Sequence, residues 1–121
     1  MYLNNKLHLF WKIGEFTLKY KDNFDNVVSS CSNRFSYYYG FSDMFSVENI
    51  HLMRRFYCFF PIFFKRLEDL NWEHYKLLVN VFDVEERMFY FKVSIFCNIN
   101  SNDLKYLINS NYFIMLKKRD S

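Results

Sequence analysis

Apolar residues recur along this chain at intervals of three and four with polar residues between them, the spacing of helices that each bury one face. The pattern is clearest from Phe45 to Pro61, where Ile50, Met53, Tyr57 and Phe60 form one stripe. Ser46 is placed to cap a helix there, and Asn49, three residues on, to reach back in a weak capping box. Pro61 cannot continue the ladder, so the helix is expected to stop near Phe59 or Phe60. At about 100° per residue Arg54 falls inside the stripe, between Ile50 and Tyr57. Arg55 falls on the other side with Glu48 and His51, facing water or a partner. An arginine within the stripe needs a carboxylate or helix C-terminal carbonyls, which gives Arg54 a structural role.

The same spacing predicts further helices on either side. Leu3, Leu7, Phe10, Trp11, Gly14 and Leu18 share a face over about residues 2 to 20, with Gly14 explained by close helix packing. Asp25 is expected to cap a second helix carrying Val27, Val28, Cys31 and Phe35, closed by Gly40 in a left-handed C-cap. Beyond Pro61 a short helix is expected over Ile62 to Leu70, with Phe63 and Phe64 inward. Asn71 caps the next, with Trp72, Tyr75, Leu78 and Val79 buried, and His74 at the third helical position able to reciprocate. Asp83 and Glu86 form a capping box for a helix burying Val84, Met88, Phe91 and Ile95. Ser101 caps a last one with Leu104, Leu107 and Ile108, before a polar, frayed tail from Lys117 to Ser121. The fold class expected is all-α: a single compact bundle of five to seven helices over 1–121, with a helix-turn-helix-like centre.

Composition adds an aromatic core. The chain of 121 residues has sixteen Phe and ten Tyr but no Ala and no Gln, a bias toward AT-rich codons that still puts large rings inside. Two Gly and one Pro disfavour a turn-rich β fold and leave no material for a phosphate-cradling glycine loop. The net charge of +3 is compatible with a nucleic-acid partner without being diagnostic. Cys31, Cys58 and Cys97 lack metal-ligand spacing and read as reduced core thiols of a cytoplasmic protein. No signal peptide is expected, because Met1 to Phe10 mixes polar and apolar residues. The apolar run Phe56 to Phe64 is about half of a membrane span, so no membrane partner is expected, and a buried helix end is favoured over an interfacial helix.

Five blocks carry a family resemblance. Ser46, Asn49, Ile50, Met53, Arg54, Phe56 and Tyr57 resemble the S-x-x-N-L-x-x-M-R-x-F-Y signature of the N-terminal domain of YhcG-like nucleases. Leu9-Phe10-Trp11-Lys12-Ile13-Gly14 resembles that family's opening, and Leu70-Asn71-Trp72-Glu73-His74-Tyr75 its L-S-W-x-H-Y. Arg87-Met88-Phe89-Tyr90 resembles its R-x-F-Y, and Leu104 to Tyr112 its closing block, although Asn100 stands where Trp is usual. The resemblance implies a helical module that precedes a PD-(D/E)xK nuclease domain and serves DNA binding or interaction. The nuclease carboxylates have no counterpart here, because Glu73 to Lys76 and Glu86 to Lys92 have the wrong spacing, so no enzyme activity is expected.

Residue chemistry narrows the site. His8, His51 and His74 lack the pairing of a helical zinc site, and no metal or cofactor is expected. Cys58 beside Arg54 and Arg55 has no accompanying base, which favours an inert thiol. Tyr37, Tyr38 and Tyr39 fit packing better than a base-stacking platform. The nucleic-acid candidates are His51, Arg55, Lys65, Arg66 and Lys76, a cluster suited to phosphate contacts, against the alternative of a merely solvated helix face. Structural roles fall to Ser46, Asn49, Met53, Arg54, Tyr57 and Trp72. Two functions follow: a non-catalytic module binding duplex DNA, or a protein-interaction module, mobile-element encoded, that dimerises or binds a nuclease subunit or other host protein.

Overall fold

The computed structural model describes residues 3–20, 24–39 and 43–120. Within them lie seven α-helices, two short 3-10 turns and no strand, so the all-α expectation holds. The helices fall into two compact units, Met1–Phe64 and Lys65–Ser121, each with its own core. No helix among the described residues is long and apolar enough to cross a membrane.

The first unit contains α1 (Leu3–Leu18), α2 (Phe24–Tyr39) and α3 (Val47–Phe59), with a 3-10 turn at Asp43–Phe45 before α3. Ser46 caps α3 as its spacing predicts, its hydroxyl accepting from the Asn49 N–H at 3.1 Å. The reciprocal half of the box is redirected: the Asn49 amide donates to the Met44 carbonyl, and the Ser46 N–H to the Asp43 carbonyl. That ties the 3-10 turn to the helix start. Asn49, Ile50, Met53, Phe56 and Phe60 are buried, whereas Tyr57 is only half-buried, so the sunk face is centred nearer Phe56 than the Ile50–Tyr57 stripe implied.

Gly14 explains how α1 and α3 meet. A Cβ built there would lie 2.1 Å from the Met53 carbonyl oxygen and 3.0 Å from the Cβ of Tyr57. Only glycine lets the two backbones come that close. Around this point Trp11 donates its Nε1–H to the Phe60 carbonyl at 2.7 Å, satisfying an oxygen at the C-terminal end of α3. Thr17 is fully buried and donates to the Gly14 carbonyl at 2.8 Å. Phe45, from the 3-10 turn, fills the space beside α2, stacking on Phe35 and meeting Phe10 edge-on. Helix α2 starts one residue before the expected cap, with Asp25 inside its first turn, and buries Val28, Cys31 and Ser36. The expected Gly40 cap and the side chains of Tyr38 and Tyr39 lie outside the described residues.

The second unit corrects several boundaries. Ile62 to Leu70 is not an α-helix: only Lys65–Asp69 turns, as 3-10, with Leu67 and Leu70 buried and Phe64 exposed. Helix α4 (Trp72–Leu78) has a complete capping box, in which Asn71 accepts from the His74 N–H and His74 Nδ1 accepts from the Asn71 N–H. Helix α5 (Val84–Phe96) is capped by Asp83, but its buried face is Arg87, Tyr90, Phe91 and Ser94. Val84 is 64% exposed and Met88 and Ile95 half-buried, because two polar residues occupy the inward positions that apolar periodicity assigns elsewhere. Helix α6 (Ser101–Asn109) is capped by Asn100 rather than Ser101, with Asn100 accepting from the Asp103 N–H at 2.8 Å. Lys117 to Asp120, expected to fray, form the end of α7 (Tyr112–Asp120), a helix that contributes no buried residue. Asn98 and Asn111 take left-handed conformations with φ of 52° and 57°, ending α5 and joining α6 to α7, positions where asparagine is tolerated.

Two phenols hold this unit together. Tyr75 is fully buried and donates to the Leu67 carbonyl. Tyr90 donates to the Leu107 carbonyl at 3.4 Å and accepts from the Phe113 N–H at 3.1 Å. Burial, then the negative charge of Asp69, pushes the Tyr75 phenol above its ordinary range. In the unfolded chain that phenol ionises at about pH 10. Stability is therefore fully present below that pH and is lost as pH rises above it, because the unfolded chain sheds the proton first. Alkaline titration is expected to show helix loss by far-UV circular dichroism coinciding with ionisation of the most resistant phenols. Ionisation of every tyrosine with helix content intact is the contrary result.

Candidate nucleic-acid interface

The sequence-predicted cations divide between the two units. On α3, His51 and Arg55 stand away from the buried Ile50, Met53 and Phe56, with Glu48 exposed in the first turn. His51, Arg54 and Arg55 are all half-buried, and each is already engaged by other groups. The expected division between a sunk Arg54 and a water-facing Arg55 is thus not found. Long arginine stems lie along apolar surface while their heads stay near water, so a position flanking the stripe and one opposite it reach similar exposure.

In the second unit Lys65 and Arg66 are exposed on the 3-10 turn. Arg66 Nε lies 3.4 Å from Asp69 Oδ2, and its guanidinium sits over the Phe96 ring at 5.3 Å. Lys76 Nζ is 3.3 Å from Glu73 Oε1. Both ion pairs are solvated i,i+3 contacts worth little by themselves, so a phosphate could replace the carboxylate at small cost. Trp72 is half-buried at the start of α4.

Two features escaped the sequence. The last turn of α7 carries Lys117, Lys118 and Arg119, all exposed, with Lys117 paired to Glu85 at 3.2 Å. Three consecutive cations were visible, but the tail was not expected to be helical. Arg87 is buried, and its Nη1 donates to the Val81 and Phe82 carbonyls at 2.8 and 3.3 Å, closing the connection from α4 to α5. Burial lowers its pKa, with Asp83 opposing. Only its place in the R-x-F-Y block hinted at such a role. The described residues contain no group of three or more metal-ligating side chains, and the three cysteines are free thiols; only Cys31 takes the expected core position, while Cys58 and Cys97 fall on the exposed sides of their helix ends.

With that geometry in place, comparison with known proteins is decisive on one point. A family model for the DUF1016 N-terminal domain matches residues 3–115. The chain belongs to that family. No curated protein and no solved structure matches it. The match to the DUF1016 N-terminal domain runs from the first turn of α1 into α7 and so takes in every helix. Four of the five blocks resembling the YhcG-like proteins correspond to contacts that build this domain. Trp11 and Gly14 join α1 to α3, Ser46 caps α3, and Met53 is fully buried. Asn71 and His74 form the box of α4, Arg87 closes a loop, and Tyr90 bonds to α6 and to Phe113 at the start of α7. Asn100, standing where Trp is usual, acts as a cap instead of a packing anchor.

Proposed function

We propose that this DUF1016 N-terminal domain is a non-catalytic DNA-binding module that delivers a partner nuclease to duplex DNA. The supporting observation is α3, a capped helix with one face sunk in a core and His51 and Arg55 on the opposite side. The second unit, taken by itself, offers its own cations for phosphate: Lys65 and Arg66, exposed on the 3-10 turn, and Lys76 on α4. In this reading α2 and α3 act as a helix-turn-helix-like pair. Bound phosphates displace Asp69 and Glu73 from Arg66 and Lys76, which costs little because both pairs are solvated.

Gel retardation of a duplex at low salt tests this reading. The association constant is expected to fall with salt at a log–log slope of roughly −4, for four to five neutralised phosphates. Arg55→Glu combined with Arg66→Glu is expected to abolish retardation with helix content unchanged. Absence of retardation by the unmodified chain at low salt would end the proposal.

A second reading has its own observation. Phe82, Phe96 and Tyr106 are each more than two-thirds exposed in the second unit, the kind of large apolar side chains that anchor protein interfaces. A protein-interaction module is expected to show a stable oligomer by light scattering, broken by Phe96→Asp. A strict monomer that captures no nuclease subunit would refute it.

A further inference from the structure

A second site lies in the first unit, away from the outward side of α3. Between α1 and α2 the helices leave a cavity of about 670 Å³, within the range of small-molecule sites. Ile13 and Phe16 of α1 and Val27 and Phe35 of α2 give it apolar walls, and Lys12 and Arg34 are the charged residues of its lining. No carboxylate lines it among the described residues. Glu15, outside the lining, pairs with Lys12 at 3.5 Å in a solvated i,i+3 contact that an incoming anion can replace. Cys31 lines the cavity at its buried side, where burial raises its thiol pKa and the positive charge of Arg34 opposes that rise.

We propose that this groove binds a monoanionic amphiphile, its alkyl or aryl chain against Ile13, Phe16, Val27 and Phe35 and its head group at Lys12 and Arg34. Apolar walls favour a chain that makes few directional demands, and a lining whose charged residues are Lys12 and Arg34, with no carboxylate, selects a negative head once it displaces Glu15 from Lys12. A nucleic-acid backbone does not suit such a floor, so the proposal stands independently of the DNA reading.

Isothermal titration of the full chain with dodecanoate, below its micelle-forming concentration, is the direct test. Saturable one-to-one binding is expected, with dodecyltrimethylammonium about tenfold weaker or worse, as two charge-assisted contacts imply. Lys12→Glu with Arg34→Glu, both at solvent-exposed positions, is expected to weaken dodecanoate about tenfold with helix content retained. Phe16→Glu, at a residue 45% exposed, is expected to do the same without touching either cation. With Cys58→Ser and Cys97→Ser in place, alkylation of Cys31 is expected to slow when dodecanoate is bound. Vesicles containing an anionic phospholipid separate the two sources of such a head group: binding to free dodecanoate but not to vesicles assigns a soluble ligand, and binding to both assigns a lipid. Equal affinity for the cationic and anionic amphiphiles, no effect of the double charge reversal, or no saturable binding to either form would overturn the proposal.

Discussion

Gly14→Ala is expected to destabilise the first unit by about 3 kcal/mol, although alanine is the better helix former. Taken alone, the exchange favours folding by up to about 1 kcal/mol through helix propensity and the reduced freedom of the unfolded chain. Against that stands a methyl carbon placed 2.1 Å from the Met53 carbonyl oxygen and 2.8 Å from its carbon. These are backbone atoms, so no rotamer change relieves the overlap and one helix must move away from the other. Moving it strains the Trp11 bond to the Phe60 carbonyl and opens the packing around Met53 and Phe56, both fully buried. Overpacking therefore wins over propensity. Denaturant titration of Gly14→Ala alongside the unmodified chain measures the balance. A gain in stability near the propensity value would show that α1 and α3 do not meet at this point.

His74→Ala is the second change with a large effect, a loss of about 3 kcal/mol from the second unit. His74 Nδ1 accepts from the Asn71 N–H, which places the ring proton on Nε2, 2.9 Å from the Ile99 carbonyl to which it donates. One imidazole thus completes the α4 cap and pins the turn between α5 and α6, twenty-five residues away in sequence. Alanine removes both bonds and leaves a gap at a buried site. His74→Gln separates the contributions, because glutamine can reciprocate an N-cap. It is expected to recover about 1 kcal/mol, the worth of a cap, and not the rest. If His74→Ala unfolds at the same denaturant concentration as the unmodified chain, the ring is not carrying the two elements.

What could be read in advance follows from how local each signal is. The Ser46 cap, the Asn71–His74 box and the close approach at Gly14 depend on residue types a few positions apart or on a property only glycine has. The face of α5 was misread because Arg87 and Ser94 point inward, and apolar periodicity cannot see a buried guanidinium that donates to the Val81 and Phe82 carbonyls. Helix α7 was missed because its stability does not come from a buried stripe: its ring contacts run from Phe113 and Tyr112 to Phe89, and Lys117 pairs with Glu85. Pro61 stops α3 as its missing N–H requires, but the segment beyond it turns as 3-10 at Lys65–Asp69 instead of forming an α-helix. The candidate cations were found by type. Their partners, Asp69 for Arg66 and Glu73 for Lys76, depend on side-chain placement that the sequence does not specify.

The two indoles fall one to each unit, Trp11 with the α1–α3 pair and Trp72 at the head of α4. Each half therefore carries its own optical reporter, and excitation of a Trp72→Phe chain follows the N-terminal half alone. Emission maxima recorded from that chain and from the intact one, along the same urea gradient, resolve whether the halves melt as one transition or two.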